Sequence, residues 1–120
     1  MIPVFLNNSL PFDLSMKTPR RIDMLFELLE NEPNDLFLNY AIGIEYVSLQ
    51  NFEEAESQFK KVISFDENYI AAYYQLGKLF EAQSKNDVAL PYFRNGLELA
   101  RRKKDKSIHE FEEAIFLLED

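Results

Sequence analysis

Hydrophobic and polar positions in this chain recur at a fixed offset of 34 residues. Apolar or small residues in one segment have counterparts of the same kind in the segment that follows. The pairs are Ile42 and Leu76, Gly43 and Gly77, Tyr46 and Phe80, Ala55 and Ala89, Phe59 and Phe93, Ile63 and Leu97, and Phe65 and Leu99. A period in this range is typical of stacked-repeat proteins. Such proteins generally hold a partner, because stacked repeats form a long concave surface and no enclosed catalytic pocket.

The residues that carry the period resemble the tetratricopeptide repeat (TPR), a 34-residue pair of antiparallel helices. The copies cover residues 36–69 and 70–103. Each has an aliphatic-glycine pair, a following aromatic residue, a small residue and a later aromatic residue. These are Ile42-Gly43, Tyr46, Ala55 and Phe59 in the first copy, and Leu76-Gly77, Phe80, Ala89 and Phe93 in the second. Asn39 and Tyr73 replace the early tryptophan of the family. The resemblance implies an all-α, α-α superhelix.

The segment before the first copy fits half a repeat. Thr18 and Pro19 are typical of the N-cap and first position of a helix, which we expect over residues 19–31. Its inward face is predicted to consist of Leu25, Leu28 and Leu29. The expected domain is therefore 18–120, preceded by an N-terminal extension, 1–17, that is irregular or flexible.

A capping helix is predicted over residues 107–119. Ser107 and Glu110 match a capping box, in which each side chain satisfies a backbone amide of the first turn. The following apolar residues are spaced by three and four, so they form one stripe. They are Ile108, Phe111, Ile115 and Leu118. Such a helix covers the core face that the last repeat would otherwise expose.

Composition limits the cellular location and the classes of binding partner that we expect. The net charge of −8 argues against nucleic acid, whose phosphates favour clustered Lys and Arg. The chain has no cysteine, which excludes disulfides and thiolate metal sites and suits the cytoplasm. No apolar run approaches the roughly 20 residues that span a bilayer. We therefore expect a cytoplasmic protein without a membrane or nucleic-acid partner.

Residues for catalysis or cofactor binding are not apparent in the sequence. His109 is the one histidine, and no cysteine is present to act with it as a nucleophile. The glycines, Gly43, Gly77 and Gly96, lie within helical patterns and form no phosphate-binding loop. The sequence therefore predicts a protein that is not an enzyme and has no cofactor or metal.

The resemblance places a binding groove along the first helix of each repeat. The predicted lining is Phe37, Tyr40, Ile44, Val47, Tyr74, Gln75, Lys78 and Glu81. Composition gives separate support, because the polar side chains between Leu36 and Leu49 are Asn39, Glu45 and Ser48. A helix this apolar on all sides requires cover on both faces.

Three covers remain open. The first is a peptide or helix of a partner protein, which makes the chain an adaptor or scaffold. The second is the apolar start of the chain, although Met16 resembles a natural start that would leave residues 1–15 outside the native product. The third is a second copy, which makes the chain a self-assembly unit. Some TPR proteins clamp the acidic tails of chaperones with lysines and asparagines, but Tyr40 and Ile44 occupy such places here.

Overall fold

A computed structural model describes residues 20–119 of the chain. This part forms six α-helices and no strand, and each helix packs against the next along the chain. The helices are α1 (Arg21–Asn31), α2 (Leu36–Ser48), α3 (Phe52–Phe65), α4 (Ile70–Ala82), α5 (Asn86–Lys103) and α6 (Ile108–Glu119). The predicted all-α superhelix is confirmed, with α2 and α3 in the first repeat and α4 and α5 in the second.

The turn inside each repeat has the same geometry in both copies. Gln50 and Ser84, which are 34 residues apart, have φ angles of 59° and 61° in the left-handed region. The next residue in each turn donates its amide to an aromatic residue of the preceding helix. Asn51 N donates to Tyr46 O, and Lys85 N donates to Phe80 O, both at 2.9 Å. The sequence period therefore reflects a repeated backbone path as well as a repeated core.

The core contains a row of buried phenylalanine rings, each placed against a glycine. Phe59, Phe93 and Phe111 are fully buried. The nearest side-chain atoms to a Cβ added at Gly43, Gly77 or Gly96 would belong to these three rings, in that order. Glycine in a helix interior is unfavourable by about 1 kcal/mol relative to alanine, and here it allows the close approach of a ring. These contacts fix the spacing of α2 to α3, of α4 to α5 and of α5 to α6.

The first helix begins later than predicted. Arg20 is extended, with φ −65° and ψ 150°, and α1 begins at Arg21. The Arg20 carbonyl accepts from Asp23 N, so the backbone itself starts the helix. The predictions for Thr18, Pro19 and the extension 1–17 lie outside the described residues.

The predicted inward face of α1 is wrong for one residue. Leu25 and Leu29 are half-buried, whereas Leu28 is 56% exposed and Ile22 is buried. Leu28 lies three residues after Leu25, on the edge of the apolar stripe, and the stripe is completed from the other side by Ile22.

The predicted capping box of α6, in which Ser107 pairs with Glu110, is also wrong. The hydroxyl and the amide of Ser107 both donate to Asp105 Oδ2, at 2.6 and 2.9 Å. Both residues carry carboxylates, but Asp105 is only two residues from Ser107, and local bonds of this kind form readily in turns. Asp105 therefore takes the amide that Glu110 would accept in a capping box. The helix then begins at Ile108, and Phe111 N donates to the Ser107 carbonyl. α6 thus keeps its predicted place over α5 with a different cap.

Candidate protein-binding groove

An open groove of about 530 Å³ lies where α2, α4 and α6 approach one another. Two connections complete it, one between α3 and α4 and one between α5 and α6. The lining residues are Tyr40, Asp66, Asn68, Tyr69, Ile70, Ala71, Tyr74, Gln75, Asp105, Lys106, Ser107, Glu110 and Phe111. In antiparallel helix pairs, alternate connections lie at the same end, which explains why residues distant in sequence meet here.

Aromatic rings form a continuous surface in the groove. The Tyr40 ring lies 5.4 Å from that of Tyr69 and 5.7 Å from that of the buried Phe59. The Tyr74 ring lies 5.7 Å from that of Phe93 and 5.5 Å, edge to face, from that of Phe111. These separations are those of favourable aromatic pairs. Both tyrosines are therefore held in place by the core and present their remaining surface to the groove.

One hydrogen bond joins the two repeats across the groove. Gln75 Nε2 on α4 donates to Tyr40 Oη on α2 at 3.2 Å. Burial raises the pKa of Tyr40, and the negative charge of Glu110 adds to this, while the Gln75 hydrogen bond opposes it. Tyr40 is therefore a neutral phenol over the physiological range.

Charged residues in the groove are mainly acidic. Asp66 accepts from Asn68 N at 3.0 Å, and Asp105 accepts from Ser107 as described above. The hydrogen bonds from Ser107 lower the pKa of Asp105, so this carboxylate stays ionised at neutral pH. Glu110 adds a third carboxylate, against the single ammonium group of Lys106.

Three of the eight residues predicted for the groove line it, namely Tyr40, Tyr74 and Gln75. Phe37 is 68% exposed outside the lining. Ile44 and Val47 are half-buried against the core, because neighbouring helices cover part of the apolar face of α2.

Lys78 and Glu81, the last two of the eight, also lie outside the lining. Lys78 Nζ is 3.4 Å from Glu81 Oε1 and 6.0 Å from the centre of the Tyr74 ring. These two side chains therefore form a pair on α4 beyond the groove.

The sequence prediction omitted the residues that the two connections and α6 contribute. Asp66, Asn68 and Tyr69 precede α4, and Asp105 to Ser107 precede α6. A stripe drawn along each first helix does not include the loop ahead of it. The 34-residue period could have located these residues. It places α6 after α5 in the same way as α4 after α3, so α6 and the loop ahead of it form the third wall of the groove.

The described residues also bear on other kinds of site. Between residues 20 and 119, no group of three or more His, Asp or Glu side chains is arranged to bind a metal ion. None of the six helices combines the length and the apolar character that crossing a bilayer requires.

Similar proteins share both the repeat and the fold. A TPR repeat model matches residues 43–84, and a tetratricopeptide repeat model matches residues 70–103. A tetratricopeptide repeat domain protein from Salinibacter ruber, solved by NMR, is 31% identical, with a TM-score of 0.69 over 73% of this chain and 90% of that chain. No match was found among curated proteins.

Two more distant structures have the same fold. Protein BPP2914 from Bordetella parapertussis gives a TM-score of 0.75 at 22% identity, over 84% of this chain and 89% of that chain. The TPR2B domain of yeast Sti1, in a complex with pHsp70, gives 0.75 at 19% identity, over 82% and 79%. The repeat matches, the Salinibacter relative and the six helices lead to one conclusion: the chain belongs to the TPR family.

Proposed function

We propose that this chain is a non-enzymatic adaptor or scaffold that binds a peptide or helix of a partner protein in the groove between α2, α4 and α6. TPR repeats generally mediate protein–protein interaction. The observation that carries the proposal is the open groove with Tyr40, Tyr69 and Tyr74 on its surface. Tyrosine combines a large apolar ring with a polar tip, and it is enriched at protein interfaces for this reason.

The arrangement of the tyrosines favours binding with little rearrangement. Tyr40 and Tyr74 already pack against Phe59, Phe93 and Phe111 of the core. Side chains that are fixed before binding lose little conformational entropy when a ligand arrives. The yeast Sti1 domain supports the class of function, since a domain of the same fold forms a complex with pHsp70.

The described part of the chain offers little support for catalysis. His109 is 95% exposed, and its Nδ1 lies 3.3 Å from Glu112 Oε1 on the outside of α6. A general acid or base acts within hydrogen-bond reach of a bound substrate, usually in a site from which water is partly excluded. An exposed histidine on a capping helix does not meet this description.

Self-assembly is the second candidate, and exposed apolar side chains favour it. Phe37 is 68% exposed on α2, and Phe116 and Leu117 are 74% and 62% exposed on α6. Met24 and Leu28 on α1 are 52% and 56% exposed. A second copy that covers these residues would make the chain a structural unit of a homo-oligomer.

The test uses a displayed library of random peptides, selected on the chain and then on a groove variant. Ala71 is exposed and lines the groove at the start of α4, so Ala71→Trp fills part of the groove without entering the core. Ala82 is exposed at the other end of α4 and outside the lining, so Ala82→Trp is the matched control.

We expect peptides that bind the original chain and the Ala82→Trp variant and lose binding to the Ala71→Trp variant. Peptides that bind all three chains equally would overturn groove binding. Light scattering then tests the alternative, because a particle mass at a multiple of 14.2 kDa would support self-assembly.

A further inference from the structure

The charges around the groove point to the chemistry of its ligand. Asp66, Asp105 and Glu110 contribute carboxylates to the lining, and Lys106 contributes the one ammonium group. The amide and hydroxyl groups that donate to Asp66 and Asp105 carry no net charge, so these carboxylates keep theirs. The groove therefore has an excess of negative charge at physiological pH.

The other cations near the groove lie outside its lining, and three of them pair with carboxylates there. Lys103 and Lys104 are exposed ahead of Asp105 and are not part of the lining. Lys78 lies 3.4 Å from Glu81 and outside the lining. Arg101 Nη2 lies 2.9 Å from Glu112 Oε2, and Arg94 pairs with Glu119. These pairs join neighbouring positions on α4 or tie α5 to α6.

The pKa of a second tyrosine, Tyr69, is also raised. Burial raises the pKa of Tyr69, and the charges of Asp35 and Asp66 are among the further causes. Glu110 acts on Tyr40 in the same direction. The tyrosine rings therefore lie within the field of the carboxylates around them.

Helix N-termini attract anions, because their free amides and the helix dipole are positive there. α4 and α6 both begin here. In each case a carboxylate of the chain already binds the amide just ahead of the helix, Asp66 at Asn68 and Asp105 at Ser107. These two carboxylates place negative charge beside both helix ends, which opposes the binding of an acidic peptide there.

We propose that the groove selects a cationic segment of its partner, with an arginine or lysine side chain lying against the rings of Tyr40 and Tyr69 between the carboxylates. This rests on the proposed function and specifies its ligand. A guanidinium or ammonium group is attracted to the face of an aromatic ring, and flanking carboxylates add a second attraction. Arginine suits such a place best, because its planar group both stacks on rings and binds carboxylates.

The experiment measures binding of three labelled peptides to the chain by fluorescence anisotropy. The peptides share leucine and tyrosine positions over about 12 residues and carry Arg, Gln or Glu at the remaining positions. We expect the Arg peptide to bind about tenfold more tightly than the Gln peptide, and the Glu peptide to bind most weakly. Binding of the Arg peptide should weaken as salt rises from about 0.15 to 0.5 M.

Two variants of α6 separate a local site from general attraction to an acidic protein. Glu110 and Glu113 are both exposed, but only Glu110 lines the groove. Glu110→Lys should weaken the Arg peptide about tenfold, and Glu113→Lys about twofold or less. Asp66→Asn, which keeps an oxygen to accept from Asn68, provides a second test if Glu110→Lys does not fold.

The outcomes distinguish this inference from the proposed function. Equal weakening by Glu110→Lys and Glu113→Lys would overturn the cationic site. Tighter binding of the Glu or Gln peptide would overturn it too, while groove binding stands if the library still yields peptides sensitive to Ala71→Trp. If no library peptide is sensitive to Ala71→Trp, the proposed function itself fails.

Discussion

Gly77 on α4 lies so close to the ring of Phe93 on α5 that a methyl group does not fit between the helices. The same relationship joins Gly43 to Phe59, where a Cβ would lie 2.5 Å from Cε1 of the ring. Phe59 and Phe93 are fully buried, and protein interiors are closely packed, so either ring can move only by displacing its neighbours. The glycine at this position of each repeat is therefore a packing requirement.

Replacing Gly77 with alanine should destabilise the protein. Overpacking of a core typically costs about 1–3 kcal/mol, which exceeds the gain of about 1 kcal/mol from better helix propensity. Urea denaturation of the original chain and the Gly77→Ala variant measures the difference. In a double-mutant cycle, Phe93→Leu should reduce the penalty of Gly77→Ala, because a smaller side chain leaves room for the methyl group. A Gly77→Ala variant more stable than the original chain would show that the contact is not restrictive.

Asn39 and Tyr73, at equivalent places 34 residues apart, bind equivalent carbonyl groups. Asn39 Nδ2 donates to Pro33 O at 3.0 Å, and Tyr73 Oη donates to Glu67 O at 2.8 Å. Asn39 also donates to Asp35 O at 2.7 Å and is fully buried. Two different side chains therefore fix the connection ahead of each repeat in the same way.

Asn39→Asp should be strongly destabilising at neutral pH. The change keeps the shape of the side chain but turns a donor that faces two carbonyl oxygens into a buried, charged acceptor. Breaking such a buried network costs about 3 kcal/mol or more. Asn95 is exposed on α5, and Asn95→Asp is the matched control, expected within about 0.5 kcal/mol of the original chain. Thermal unfolding measures both. Equal stability of the two variants would show that the Asn39 hydrogen bonds contribute little.

Ser84 lies in the left-handed region, and a glycine there should stabilise the protein. This region costs a non-glycine residue about 1–2 kcal/mol, whereas glycine loses only about 0.5–1 kcal/mol through entropy on folding. Ser84→Gly should therefore raise the free energy of unfolding. The same change at Ser57, exposed within α3, should lower it by about 0.5 kcal/mol. Chemical denaturation of both variants tests the contrast, and destabilisation by both would contradict it.

The period made the helices and the core predictable, because it records which residues face a neighbouring helix. Phe59 and Phe93 were identified from the offset alone, and both are fully buried. The helix ends are less predictable from the sequence, since they depend on single hydrogen bonds. Ser107 illustrates this: the sequence favours Glu110 as its partner, and the structure gives Asp105.

The groove was predictable only in part, for a geometric reason. Tyr40 and Tyr74 occupy equivalent positions on two first helices, so the period locates both. Asp66, Asp105 and Glu110 reach the groove from connections and from α6, whose positions depend on how the helices stack. The acidic character of the groove is therefore a property of the tertiary structure.

Tyr40 should make the stability of the protein fall at alkaline pH. Its pKa in the folded protein is raised, mainly by burial, above the usual value of about 10. Between about pH 10 and the raised pKa of the folded protein, the unfolded chain loses the phenolic proton while the folded chain keeps it. The contribution of Tyr40 is thus fully present below about pH 10 and is lost as pH rises through the folded pKa.

Urea denaturation at a series of alkaline pH values tests this, with Tyr40→Phe as the reference. The variant keeps the ring against Phe59 and Tyr69 and removes the ionisable group, so its stability should fall less steeply with pH. Gln75→Met should make the stability fall more steeply with pH. The Gln75 hydrogen bond lowers the pKa of Tyr40, so its removal should raise that pKa further. A Tyr40→Phe variant with the same alkaline slope as the original chain would mean that Tyr40 ionises equally in the folded and unfolded states.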